Sequence, residues 1–550
     1  NQPTQNIELA DPITYMKLHN ESVLTRNPLG EVPYSQDKIE NTLKPGLSPY
    51  IYPANDWHEM LFRDYATSQR GNLSVTGGGK VARYFVSSAF TKDNGILKVD
   101  KRNSFNNNID FKNYTLRANV DINITPITQL AVRLSGNFDD YNGPNMSGQD
   151  MYYYVMHSNP VMFPAYYPID DDFSYVKHIM FGNYQGNYRN PYAEMVRGYT
   201  DRTRSQMLAS VEVNQDLSFI TPGLKLMSML NLSRLSEYFV NRAYSPYWYQ
   251  MRGNYDSFTG EYHLERFNEN GTEYLDYREG PKTVDATTYS ETRLNYNNTF
   301  GNHGVSGLIV FTTRQWIAAN QGNLQLSLPS RNVGLAGRST YNYDNKYFFE
   351  FNFGYNGSER FAENNRWGFF PSAGVAWVVS NENFFEKYKS AISNLKIRYT
   401  YGLVGNDQIG DARDRFFYLS QVNMNDGGRG AYFGENLDKG GAGIRVNRYA
   451  NEDITWENST KQNFAIELGL FGKANIIAEY FTEHRRDILM TRSAIPSTVG
   501  LQAEVRANVG EATARGIDIQ SDFMHSWNEH FWTSARANFT YSTSKFKVYE

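Results

Sequence analysis

A transmembrane antiparallel β-barrel is the fold this sequence predicts, and three observations predict it. Apolar and polar residues alternate with period two over many segments. Short turns and long loops take turns along the chain. No apolar run approaches the roughly 18 residues that a membrane-spanning helix needs, so helical spans are excluded. The composition agrees: Tyr 41, Phe 34 and Trp 8 make 15% aromatic residues in a chain of 550, yet the hydrophobic total is only 40%. With a mean hydropathy of −0.60, rings and polar groups are interleaved rather than gathered into aliphatic cores. That aromatic content, with only 20% charged residues, also excludes wholesale disorder.

The alternation is clearest from Asn113 to Ile124. Tyr114, Leu116, Ala118, Val120, Ile122 and Ile124 are apolar, while Asn113, Thr115, Arg117, Asn119, Asp121 and Asn123 are polar. Successive strand side chains point to opposite faces, so such a segment has one oily side and one wet side. The pattern resumes after Thr125-Pro126 with Leu130, Val132 and Leu134 against Arg133, Ser135 and Asn137. It returns at Met207–Val213, Leu395–Tyr401, Phe464–Leu468 and Ala535–Tyr541.

Connections alternate too. Short ones fall near Gly77–Lys80, Thr125-Pro126, Thr221–Gly223, Asn302-His303, Asp344–Lys346, Phe471–Lys473 and Ser526–Glu529, with a somewhat longer one at Asn381–Asn394. Long ones fall at about 92–111, 139–203, 238–284, 316–332, 358–368, 405–458 and 486–510. Short periplasmic turns and longer extracellular loops are the rhythm of outer-membrane barrels. The pattern gives roughly sixteen strands in eight hairpins over 71–550. Rings at strand ends, as in Tyr341, Tyr343, Tyr347 and Phe349, sit where interfacial girdles belong. A soluble sandwich also alternates, but loops this long are uncommon in compact domains.

The first seventy residues follow no such period. Asp11-Pro12, Tyr34–Asp37 and Asp56–Leu61 are each expected to open a short helix, in a lead-in beside the barrel, periplasm-side or lumen-adjacent. Asn1-Gln2-Pro3-Thr4 carries no basic or apolar leader, so any signal peptide is expected to lie outside this chain.

Much chemistry is excluded. Cys 0 removes disulfides, thiolate metal sites and cysteine nucleophiles. A net charge of −4 offers no large nucleic-acid surface. Gly77-Gly78-Gly79-Lys80 is not a phosphate loop, because Val81 replaces the Ser/Thr. No H-E-x-x-H or G-x-S-x-G occurs, and no catalytic residue, metal ligand or cofactor is expected.

Two candidate sites remain. The wet face places Arg117, Asp121, Arg133, Glu212, Arg293, Glu350 and Arg398 on a lumen wall, with Lys396 and Glu467 beside them. The long loops carry Tyr166, Tyr167, Tyr188, Tyr247, Trp248 and Tyr249, rings that stack on sugars or pack peptide side chains. Asp170-Asp171-Asp172 is an acidic run with cation-binding chemistry, read here as a solvated face.

The ordered motifs resemble the SusC/RagA-like branch of TonB-dependent outer-membrane transporters of Bacteroidota. Gln69–Gly78 with Tyr84, Ser87 and Gly95 is similar to that family's first barrel hairpin. Tyr343-Asp344-Asn345-Lys346-Tyr347, then Asn356–Phe361, is similar to its mid-barrel signature. Phe370–Gly374, Tyr401–Asn406, Thr455-Trp456-Glu457, Arg486–Leu489, Asn508–Glu511 and Arg515–Asp518 follow in family order. One departure is Tyr355-Asn356, where family members often carry an Arg-Asp-like pair.

The resemblance implies a 22-stranded plugged barrel, of which this chain supplies about sixteen strands, without a TonB box, a plug or the last strands. A sheet with two raw edges leaves backbone groups unpaired in lipid, so the segment alone is expected not to insert stably. The resemblance further implies TonB-dependent active import of a glycan or oligopeptide, a SusD-like lipoprotein lid docked on the long loops, and the TonB complex engaging a part of the protein outside this chain. A passive porin of about sixteen strands and a surface carbohydrate-binding β-protein are the alternatives.

Overall fold

The computed structural model describes residues 9–253, 255–256, 259–319, 321–410 and 414–550. Asn1–Thr4, where no leader is expected, lie outside the described residues. Sixteen strands, from Ser68–Gly78 to Phe531–Val548, pair in chain order into one sheet. Neighbouring pairs are antiparallel, as in Asp110–Thr125 with Thr128–Gly143 and Gly198–Asp216 with Leu224–Ala243. Among the described residues, the first and last strands each pair on one side only.

The connections separate by end. The chain reverses at 79–81, 126–127, 217–223, 301–302, 344–346, 379–391, 471–473 and 529–530 at one rim, and through long loops at the other. Local chemistry explains the tight ones. Asp344 and Asn345 take φ of 51° and 52°, the left-handed pair at the centre of a turn closed by Lys346 N donating to the Tyr343 carbonyl, a conformation that Asx side chains tolerate. Gly78 has φ +147°, and a Cβ there would stand 2.4 Å from the Ala82 carbonyl oxygen.

The sheet has its apolar rows outside. Leu116, Leu134, Ile309 and Val375 are 51, 50, 51 and 52% exposed, which excludes a dry interior made by these rows meeting one another. Ring rows border the apolar band at both rims. Tyr347 stacks on Trp377 at 6.5 Å, and Tyr355, on the same face of the same strand, stacks on Trp367 at 4.9 Å. Eight residues at about 3.4 Å each and about 40° of tilt separate these rows by roughly 20 Å along the membrane normal. That is close to the apolar height of an outer-membrane barrel.

Some strands outrun this band. Leu224–Ala243 has 20 residues where roughly 9–11 cross a bilayer, so the wall rises beyond the membrane at the long-loop rim. There it carries a cap with its own dry core. Trp57, Leu61, Met151, Phe163, Phe181, Tyr192 and Met195 form one buried cluster, and Met16, Tyr34, Ile39 and Val161 another. The lead-in helices α1 (Pro12–Arg26), α2 (Gln36–Asn41) and α3 (Trp57–Leu61) are N-capped by Asp11, Ser35 and Asp56. They pack on the 146–196 loop, so the lead-in lies at the long-loop rim rather than on the short-turn side expected of a periplasmic segment. Asn55 donates to the carbonyls of Pro160 and Phe163, and the Trp57 indole donates to that of Asn159.

Candidate functional site

The strand register settles which side chains share the inner face. Arg117 stands opposite Ser87 and Ser135, Arg133 opposite Asn119 and Ser210, and Glu212 opposite Ala131 and Met229. Arg293 stands opposite Met227 and Val310, Glu350 opposite Thr340 and Gly374, and Arg398 opposite Ala376 and Ala465. With Asp121, these residues lie on the face opposite the exposed apolar rows.

They do not form one site. Asp121 and Arg133 pair at 2.5 Å. Glu212 accepts from the Asn214 amide at 2.6 Å. Arg293 pairs with Glu291, which also accepts the Tyr289 hydroxyl at 2.5 Å. Farther round, Lys396 and Arg398 each reach Glu467 at 3.1 Å, and Arg398 also pairs with Glu479. Glu350 accepts from Asn352. Among the described residues, Arg117 has no carboxylate partner. The wall is thus a mosaic of paired charges rather than a field of one sign.

Sequence reasoning missed part of this face. A cavity of about 980 Å³ near the short turns is lined by Glu212, Asn214, Glu291 and Arg293, but also by Met227, Met229, Leu308 and Val310. Those four apolar residues have inward parity; strand position relative to Arg293 and Asn295 was the signal that could have assigned them. Trp316, opposite Thr287, is inward by the same rule.

The loop rings come together in the cap. Four short strands, in the order Leu264–Arg266, Trp248–Met251, Met180–Gly182 and Tyr166–Tyr167, make a small sheet. It is packed so closely that a Cβ on Gly182 would meet the Pro164 carbonyl oxygen at 2.0 Å. Tyr166, Tyr188 and Trp248 are half-buried against one apolar cluster, and Tyr247 against a second that contains Tyr167 and Tyr249. Tyr249 has no exposed surface and Tyr167 only 5%. Burial pushes the Tyr249 hydroxyl up to about 12 and raises that of Tyr167 as well.

Polar groups fix the rings that keep a free face. The Arg102 guanidinium lies 3.9 Å over the Tyr166 ring. Tyr247 stacks on His178 at 4.3 Å, with Arg266 at 5.0 Å. His178 Nδ1 lies 2.8 Å from Glu273, and Nε2 lies 2.8 Å from the Tyr249 hydroxyl. A carboxylate only accepts, so Nδ1 carries a proton toward Glu273. The His178 hydrogen bond holds the Glu273 carboxyl below its ordinary value. Asp170 caps the turn at Phe173 N, and Asp172 faces His263 at 3.6 Å in open solvent. Among the described residues, no group of three or more His, Cys, Asp or Glu could hold a metal ion.

No protein-family model matches the chain. It is 25% identical over 501 residues to TonB-dependent receptor P39 of Formosa agariphila, covering 86% of this chain and 42% of that protein. It is 24% identical over 482 residues to TonB-dependent receptor SusC of Bacteroides thetaiotaomicron, covering 84% and 45%. The fold superposes on the RagAB peptide transporter with a TM-score of 0.64 and 17% identity, covering 98% of this chain and 59% of that one. The chain is SusC/RagA-like. It is an outer-membrane β-barrel chain that spans about half the length of the curated relatives it matches. In its open-open state the RagAB peptide importer matches equally well, with a TM-score of 0.65 and 18% identity over 97% of this chain and 58% of that one.

Proposed function

We propose that this chain forms most of the barrel of a TonB-dependent transporter that imports an oligomeric nutrient, a glycan or an oligopeptide. One observation carries the reading: a single sheet that is apolar outside and charge-lined inside holds a ring-rich cap at its long-loop rim. A wall of this kind encloses a wet passage through lipid, and the cap supplies a surface at its outer mouth. The similar proteins named TonB-dependent receptor, and the peptide transporter RagAB, support import as the use of that passage. In this reading the energy comes from the TonB complex, through a part of the protein outside this chain, and a SusD-like surface lipoprotein closes over the cap.

Tyr166, Tyr188, Tyr247 and Trp248 are the residues we assign to cargo or lid contact, because each keeps ring surface free. Tyr167 and Tyr249 act beneath them as support. Inward Tyr289 and Trp316 would meet cargo on its way down. The lumen residues Arg117, Asp121, Arg133, Glu212, Arg293, Glu350 and Arg398 line the passage and contact whatever domain fills it.

The test is uptake of fluorescent oligosaccharides and oligopeptides by cells carrying the full-length protein, before and after the proton gradient is dissipated. Active import predicts that uptake of one class stops when the gradient collapses, and that Trp248→Ala with Tyr247→Ala lowers it several-fold with the barrel still assembled. Uptake that continues unchanged would replace this reading with a passive porin.

A further inference from the structure

On the last four strands the outward face changes character just beyond the ring row at the long-loop rim. Ile517 pairs with Tyr480 and Tyr541, all of them exposed and on the lipid-facing side. Two residues on, Arg515 pairs with Thr482 and Thr543; in the next row Thr513 pairs with His484 and Lys545. Side chains two apart share a face, so Arg515, His484 and Lys545 point outward above the rings, and Arg486 and Lys547 continue the same rows. Together they line an outward-facing hollow of about 690 Å³ with Tyr401, Gln462 and four threonines.

The outward charge there is positive; Glu483, which also lines the hollow, is already paired with Arg485 at 2.9 Å and Lys461 at 3.6 Å. Among the described residues, Arg486, Arg515, Lys545 and Lys547 have no carboxylate partner, and the nearby Glu511 is taken by His484 at 3.3 Å. Three other outward cations on this rim are paired: Lys92 and Lys112 with Asp110 at 3.8 and 3.3 Å, Arg331 with Glu359 at 3.6 Å. At about 3.4 Å per residue, Arg515 stands roughly 7 Å along the strand from the apolar band, at headgroup level. Desolvated rings below and free cations above are the two halves of an amphipathic lipid site.

We infer that this patch binds the phosphorylated headgroup of an outer-leaflet lipid. Arg486 and Arg515 offer planar forks that match phosphate oxygens, Lys545 and Lys547 add point charges, and the threonine hydroxyls complete the hydrogen bonding. The acyl chains would lie along Ile517, Ile519 and Phe539, which are exposed directly beneath. The inference uses only the membrane placement of the wall and is independent of what the passage carries.

The experiment takes the full-length protein, delipidated in mild detergent, and reads rebinding of phosphatidylglycerol, diacylglycerol or inorganic phosphate by native mass spectrometry. The expected result is retention of phosphatidylglycerol but not of diacylglycerol. At about 1 kcal/mol per cation, Arg515→Gln and Lys545→Gln should each weaken retention about fivefold, and the paired control Lys92→Gln should leave it unchanged. Both side chains are exposed, and unchanged heat-modifiable gel mobility verifies folding. Wild-type retention that does not fall with added salt overturns the proposal without any variant. Equal retention by the double variant, or displacement of the lipid by inorganic phosphate at comparable concentration, overturns it too, the latter in favour of a free-anion site.

Discussion

The wall and the cap of this chain are made of similar residues used in opposite ways. In the wall, Leu116, Leu134 and Val375 face outward and the charged pairs face inward, so lipid takes the place of a core and backbone ladders supply the cohesion. In the cap, Trp57, Phe163, Phe181 and Tyr249 are buried to within 2% of complete enclosure, as in a small water-soluble domain. The difference lies in the solvent. Where the chain meets hydrocarbon, an apolar side chain is stable on the surface; where it meets water, the same side chain must find others. One polypeptide therefore carries two stability codes, and substitutions should act by different rules on each side of the long-loop rim.

The largest effect is expected at Trp57→Ala. The indole is 2% exposed, packs on Phe163 and donates to Asn159, tying the lead-in to the loop at 159–163. Removing a buried large ring costs about 3–5 kcal/mol, enough to open the cap locally. Limited proteolysis should then cut the 146–196 loop rapidly, while heat-modifiable mobility reports an intact barrel. Loss of both together would show that cap and wall are one cooperative unit.

A smaller and inverted pair of effects is expected in the wall. Leu134→Arg places a charge at mid-band facing lipid and should cost roughly 2–4 kcal/mol in bilayer folding titrations. Ser135→Arg, its neighbour on the wet face, should cost far less. Equal costs at the two positions would break the assignment of faces.

These contrasts also mark what the sequence could disclose. The period of two placed Arg117, Asp121 and Arg133 on one face because every strand residue obeys it, whatever its neighbours. Asp344-Asn345 was legible as a turn for an equally local reason, its tolerance of positive φ. The inward apolar group Met227, Met229, Leu308 and Val310 was not, since an oily residue in a strand reads as lipid-facing unless its register is known. The cap was illegible for a different reason: it joins residues 16–61 to 151–196 and 248–264, and contacts between distant loops follow no period. Tyr167 and Tyr249 looked like contact residues because rings in polar loops suggest recognition; here they are the dry floor of the ring cluster.

The smallest expected effect concerns the charged pairs of the inner face, and it separates a lumen from a core. Asp121 and Arg133 approach to 2.5 Å, but their side chains keep 36 and 40% of their surface. A buried pair broken on one side costs about 3–5 kcal/mol, whereas a solvated pair contributes about 0–1 kcal/mol. In a double-mutant cycle with Asp121→Asn and Arg133→Gln, the coupling energy should therefore stay below about 1 kcal/mol. It should shrink further as salt is raised, because water and ions reach the pair. A coupling of several kcal/mol that ignores salt would mean that the inner face is dry, with something packed firmly against it. The wall would then resemble the cap, and the contrast between the two regions would have to be redrawn around whatever fills the barrel.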